Sequence, residues 1–120
     1  MLRPHQTVAE LASHEPPDCL AVGVFESGRL VAVGLIGPEG EPGEWRVRGM
    51  ATLPDFRGRG AGSAILAALL DHAREHGAGA VWANVRTPAV TLYERAGLEV
   101  ASEQFELPDI GPHVVMRRRL

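Results

Sequence analysis

Eight residues near the middle of the chain, "FRGRGAGS" (56–63), contain three glycines and two arginines. They run directly into "AILAALLDHAREHG" (64–77), where Ile65, Leu66, Leu69, Leu70 and Ala73 form an apolar stripe at helical spacing. Glycine loses more backbone entropy on ordering than any other residue. A loop so flexible and so positive at the mouth of a helix calls for a compensating ligand, and an anion fits best. Backbone N–H groups at a helix start lack partners, and the helix dipole is positive there. Gly58, Gly60 and Gly62 let main chain approach a phosphate, and Arg57 and Arg59 supply charge-assisted hydrogen bonds.

Two nucleotide loops do not fit. A P-loop needs a lysine before its Ser or Thr, and all twelve basic residues of this chain are arginine. A dinucleotide fingerprint, Gly-x-Gly-x-x-Gly, fails at Ser63 when counted from Gly58 and at Ile65 when counted from Gly60. The lack of lysine also excludes Schiff-base chemistry. His72 and His76 have the i, i+4 spacing of a metal pair, but no acidic or Cys ligand completes it, so no metal site is expected. Near the C-terminal end of their helix they are expected to be solvated and stabilised by its dipole.

The elements around the loop follow from apolar spacing. "CLAVGVF" (19–25) and "LVAVGLI" (30–36), joined by "ESGR", read as a β-hairpin buried on both faces. "EWRVRGMATL" (44–53) alternates, with Trp45, Val47, Gly49 and Ala51 on one face and Arg46, Arg48, Met50 and Thr52 on the other. It stops before Pro54. A helix follows over about 60–76, closed by Gly77, and then a strand, "AVWANV" (80–85). Thr87 caps a short helix with Pro88 at its first position and Gly97 at its end. "LEVASEQF" (98–105) and "HVVMRRRL" (113–120) are two more strands, separated by the turn-rich "ELPDIGP". Strand–helix–strand order makes 44–53 and 80–85 parallel, while the hairpins are antiparallel. The class is α/β: a mixed sheet with helices on both faces. In the first 18 residues "MLRP" reads as an edge strand and "TVAELASHE" as a short helix.

Length and composition set bounds. With 120 residues and 45% apolar content, the chain forms one domain, 1–120, with one core. A lone Cys19 excludes a disulfide framework and fits a reducing, cytoplasmic location. No apolar run reaches the roughly 18 residues of a membrane span, and "MLRPHQTVAEL" lacks the regions of a signal peptide. A formal charge of −3 argues against nucleic acid or an acidic membrane as partner. "RRR" (117–119) sits on a strand, so Arg118 points away from its neighbours.

The glycine loop has one further match. Arg57, Gly60 and Gly62 satisfy Arg/Gln-x-x-Gly-x-Gly/Ala, the pyrophosphate signature of the GCN5-related N-acetyltransferases (GNAT family). "MATLPDFRGRGAGSAIL" (50–66) resembles that family's strand, loop and helix along its whole length, including the Pro three residues before the Arg. "TPAVTLYERAGL" (87–98) resembles the family's N-x-x-A-x-x-x-Y-x-x-x-G-F block, and the two blocks with the strand between them cover about half the chain. The sequence departs from the pattern at Arg86, where Asn is common, at Leu98 for Phe and at Thr52 for Val. The N-terminal region is short, so the helices that wall the acceptor pocket in this family are reduced.

The resemblance implies the acyl-CoA N-acyltransferase fold, with acetyl-CoA as cosubstrate and a small-molecule or peptide amine as acceptor. It places the pantetheine arm between two splayed strands, on the main chain of Met50, Ala51 and Thr52. It places the pyrophosphate on the amides of Arg57, Gly58, Arg59, Gly60, Ala61, Gly62 and Ser63. Tyr93 matches the position whose hydroxyl faces the cofactor sulfur, which makes it the acid for the leaving thiolate. Glu44, acting directly or through water, and His113 are candidates for the base. A longer acyl donor, or a coenzyme A-binding regulatory module without turnover, is the alternative. Glu99, Glu103 and Glu106 face either solvent or acceptor. The reduced N-terminal region leaves sheet surface that a homodimer through the C-terminal strands would cover.

Overall fold

The structure, a computed structural model, describes residues 5–11 and 18–120. One mixed sheet organises them. The strands are β1 (Gln6–Glu10), β2 (Leu20–Glu26), β3 (Arg29–Pro38), β4 (Glu44–Thr52), β5 (Ala80–Arg86), β6 (Glu99–Val100), β7 (Phe105–Leu107) and β8 (Gly111–Arg119). The helices are α1 (Ala61–Glu75), between β4 and β5, and α2 (Val90–Arg95), between β5 and β6. The spatial order is β1-β2-β3-β4-β5-β8-β6, and β7 also pairs β8. As the strand–helix–strand order requires, β4 and β5 pair in parallel. The other ladders are antiparallel.

The hairpin of β2 and β3 turns on two residues, Ser27 and Gly28, at φ 50° and 83°. Positive φ at both central positions is the twist-matched hairpin geometry. Glu26 and Arg29, expected in the turn, are therefore paired ends of the strands. Ala21 to Val24 are buried in succession, as the unbroken apolar run implied.

α1 carries its stripe as expected: Ala61, Ile65, Leu66, Leu69, Leu70 and Ala73 are buried. They join Val22, Val24, Ile36, Trp45, Val47, Val81, Val85 and Met116 in one core. Each helix closes in a Schellman turn, with Ala78 N–H donating to Ala73 O at 2.9 Å and Leu98 N–H to Tyr93 O at 3.1 Å. α1 and α2 lie side by side on the same face of the sheet, since Leu92 sits 3.0 Å from where Gly62 would carry a Cβ. The described residues thus supply the expected helices on one face. On the other, Arg46, Trp82 and Arg117 are partly or fully exposed.

Several expectations change. Within "TVAELASHE", residues 7–10 form strand β1, because the open edge of β2 offers them backbone partners from Phe25 to Val22. Residues 12–15, and the expected edge strand "MLRP", lie outside the described residues. Thr87 makes no side-chain cap; a single 3-10 turn, Thr87–Ala89, leads into α2 instead. The strand expected over 98–105 breaks after Val100, where Ser102 Oγ accepts from Val115 N–H at 2.8 Å in place of a ladder bond. Pairing resumes at Phe105, the last residue of that expected strand, and runs on to Leu107 in the turn-rich segment.

One irregularity re-aims β4. Val33 pairs Ala51 and Leu35 pairs Arg48, so two steps along β3 face three along β4. The additional residue is a β-bulge at Gly49, whose φ is +66°. It reverses the alternation beyond it. Met50, expected to share a face with Arg46 and Arg48, turns inward, and its Sδ lies with Ile65 against Gly34. Gly49 and Ala51 are exposed instead.

A Gly49→Ala substitution forces an L-residue into left-handed backbone and sets its Cβ 2.6 Å from Leu35 Cδ1. It is expected to destabilise the fold by about 1–2 kcal/mol, read as a lower urea midpoint with an unchanged m-value.

Candidate active site

β4 and β5 are hydrogen-bonded only where Glu44–Arg46 face Ala80–Trp82. Beyond that point β4 continues to Thr52 and β5 to Arg86 with no ladder between them. The bulge at Gly49 falls within this diverging stretch and bends β4 away from its neighbour. A cleft of about 740 Å³ opens in the fork.

The glycine loop forms one wall. Gly60, at φ 84°, is the N-cap of α1, and no side chain caps the helix. The Ala64 N–H donates to Gly60 O at 3.1 Å. The N–H groups of Ala61, Gly62 and Ser63 therefore open outward from the helix start, and all three residues line the cleft. Gly58 also needs its left-handed φ of +77°, although a Cβ there would meet nothing within 4 Å. Gly62 serves packing rather than ligand approach, because Leu92 of α2 crowds it.

The two arginines of the loop separate. Arg57 is exposed and lines the cleft. Arg59 turns away, and its Nη1 donates to both carboxylate oxygens of Glu26 at 3.0 Å. Glu26 is buried, and His5 Nε2 lies 2.7 Å from its Oε1. Burial raises the Glu26 pKa, but the hydrogen bonds from His5 and Arg59 outweigh it and hold the carboxyl below its ordinary range. Phe56, which lines the cleft, has the guanidinium of Arg59 at 4.9 Å and that of Arg29 at 5.4 Å from its ring centre. Of the residues expected to bind cofactor, Met50, Ala51, Thr52, Arg57, Gly58, Gly60, Ala61, Gly62 and Ser63 share the cleft; the Arg59 side chain does not.

Two of the three expected catalytic residues meet there. Tyr93 is 6% exposed on α2. Burial pushes its pKa up to about 12, partly offset by the Arg86 charge nearby. His113, 5% exposed, lies beside Arg86 in the register of β8 and β5. Its Nδ1 is 2.8 Å from Gly111 O. A carbonyl only accepts, so Nδ1 donates and the neutral ring carries its lone pair on Nε2. Glu44 stands apart, at the closed end of the fork and outside the cleft. Glu41 N–H donates to its Oε1 at 2.9 Å and Arg117 Nε to its Oε2 at 3.1 Å. Those bonds, with the charge of Arg117, hold its pKa below the ordinary value, the reverse of what a base needs.

The aromatic residues of the strands, which could line an acceptor site, have structural partners. Trp45 is buried, with the rings of His72 and His76 at 5.7 and 5.8 Å. Trp82 Nε1 donates to Glu39 O at 2.8 Å beneath the Arg46 guanidinium. Phe105 lies against the His113 ring at 6.0 Å. The cleft also takes in Asn84, Arg95 and Ile110, which motif spacing does not single out. Asn84 alone had a signal, as the polar member between Ala83 and Val85.

Comparison with known proteins agrees with this geometry. A model of the acetyltransferase (GNAT) family matches residues 2–98. The uncharacterized N-acetyltransferase YitI of Bacillus subtilis (strain 168) is 33% identical over 127 residues, covering 100% of this chain and 85% of YitI. The ribosomal-protein-S18-alanine N-acetyltransferase from Escherichia coli superposes with a TM-score of 0.78 at 19% identity, over 95% of this chain and 93% of that one. The IAA acetyltransferase from Bacillus cereus ATCC 14579 does so at 0.77 and 13% identity, over 96% and 99%. These two likenesses are of fold.

The Glu26 tether has a pH signature. A carboxyl whose pKa is lowered in the folded state stabilises it above the unfolded value, and that stability is lost as pH falls through the folded value. The gap in Tm between the wild type and Glu26→Gln is expected to be widest near neutral pH and to close as pH drops below about 4.5, measured by thermal melts across an acid series.

Proposed function

Because the chain belongs to the acetyltransferase (GNAT) family, we propose that it is an acetyl-CoA-dependent N-acetyltransferase acting on an amine. The observation that carries the reading is a coincidence in space. The strands part where their main-chain edges need partners, and the free N–H groups of α1 open at the mouth of the same cleft. An arm bearing amides suits the first feature, and a pyrophosphate suits the second. The main chain of Met50, Ala51 and Thr52 would hold the pantetheine amides. The N–H groups of Ala61, Gly62 and Ser63, with Arg57, would hold the phosphates.

Acetyl-CoA supplies an acetyl group activated as a thioester. The protein's own groups manage the protons. His113 accepts the amine's proton on Nε2, the nitrogen left free by the bond to Gly111. Tyr93 keeps its proton throughout the working range and donates it to the sulfur as it leaves, although burial, by raising its pKa, makes it a weaker acid than a free phenol. The C–S bond breaks as the C–N bond forms, and solvent returns a proton from His113 to Tyr93. Glu44 takes no part, being committed to Arg117. A coenzyme A-binding module without turnover gains no support from the family or its relatives.

Tyr93→Phe is expected to lower kcat about 100-fold or more, with the acetyl-CoA Kd changed less than about twofold because the phenol contributes to the transition state rather than to binding. Kinetics and calorimetry on the same protein check it; equal turnover by the variant would remove the acid role. Acetyl-CoA at a hundred times its Kd is expected to stabilise the fold by about 2.7 kcal/mol, and a melt that does not move would remove the cofactor site.

A further inference from the structure

Resting on the acetyltransferase reading, we propose that the amine acceptor carries an anionic group, a carboxylate or a phosphate, and that Arg86 recognises it. The cleft is lined by Arg48, Arg57, Arg86 and Arg95, and by no Asp or Glu among the described residues. This is notable in a chain with 15 acidic residues against 12 basic ones. Positive charge has been gathered into one concavity, where low-dielectric walls focus the field.

The phosphates of coenzyme A do not call on all of it. Arg57 belongs to the glycine loop, and Arg95 shares with Ser63 the groove between α1 and α2, so both stand at the phosphate end. Arg86 is placed differently. It ends β5 directly across the ladder from His113, and its charge reaches the Tyr93 hydroxyl. A guanidinium there flanks the two groups that handle protons, where the acceptor amine must sit. Its planar fork suits two oxygens of a carboxylate or phosphate.

The same layout disfavours a cationic acceptor. A polyamine or a lysine-rich peptide needs carboxylates around its charges. Glu99, Glu103 and Glu106 are exposed and none lines the cleft, while Glu44 is paired with Arg117.

The test measures coenzyme A release with acetyl-CoA and paired acceptors: free α-amino acids against their amides, O-phosphoethanolamine against ethanolamine, and spermidine alone. Anionic members are expected to exceed their neutral partners about tenfold or more in kcat/KM, as a charge-assisted pair supports. The responding pair tells carboxylate from phosphate. Added salt is expected to narrow the preference. Arg86→Gln is expected to abolish it through a raised KM for the acceptor, and Arg86→Lys to keep part of it. Titrating N-acetylated amino acids and their amides into protein saturated with coenzyme A gives the same preference without turnover. Equal or better use of amides, ethanolamine or spermidine, or a preference that survives in Arg86→Gln, would overturn the acceptor assignment alone. No thiol release with any amine would overturn the acetyltransferase reading, and this inference with it.

Discussion

Everything in this molecule turns on two neighbouring parallel strands that stop pairing. Sheets normally ladder every backbone group, and a buried polar group left without a partner costs about 1–3 kcal/mol. β4 and β5 leave theirs open from Val47 and Ala83 onward, along the cleft that separates them. The bulge at Gly49 makes the fork permanent, because β4 keeps its ladder with β3 right through it. On the other side β5 is paired with β8 along its whole length, from Ala80 to Arg86. Neither strand can move toward the other without giving up an intact ladder.

The core beneath secures both walls. Ile65, Leu66 and Leu69 of α1 are fully buried, and each contributes about 1.5–3 kcal/mol by leaving water. They lock the helix across β2, β3 and β4, so the start of α1 is fixed relative to the β4 edge. At the closed end of the fork, ion pairs join the strands from outside. Arg117 of β8 reaches across β5 to Glu44 of β4, and Arg46 meets Glu39 at 2.7 Å. Exposed pairs of this kind contribute roughly 0–1 kcal/mol each. Their effect is to mark where the fork ends, and they explain why Glu44, a reasonable base by its position in the sequence, is a strut.

Much of the fold and of the glycine-loop wall of the cleft was legible in the residues, because those signals are local. A glycine loop followed by an Ala- and Leu-rich stripe specifies a helix start, and α1 begins within one residue of the expectation. Strand–helix–strand order implied the parallel pair. What escaped was long-range. Nothing near Arg59 announces Glu26, which lies 33 residues earlier. Gly49 sits in an otherwise alternating strand, where a lone glycine is itself a bulge signal, but the inward turn of Met50 depends on the register with β3, which lies outside the strand's own residues. β1 carries no strand signal of its own, because its pairing is decided by the free edge of β2 and not by its own five residues. His113 and Tyr93 were nameable, yet the hydrogen bond that selects the basic nitrogen of His113 exists only once β8 is folded.

Phe56 and its two arginines carry a last consequence. Arg59 rests on that ring while grasping Glu26 of β2, and Arg29 of β3 reaches the same ring. The glycine loop is thus braced by the tip of the hairpin. The conformational freedom of its glycines is surrendered when the chain folds. On the proposed reading the turn is thereby preorganised for a pyrophosphate, and association would be spared an ordering penalty that a slack loop of the same composition would impose.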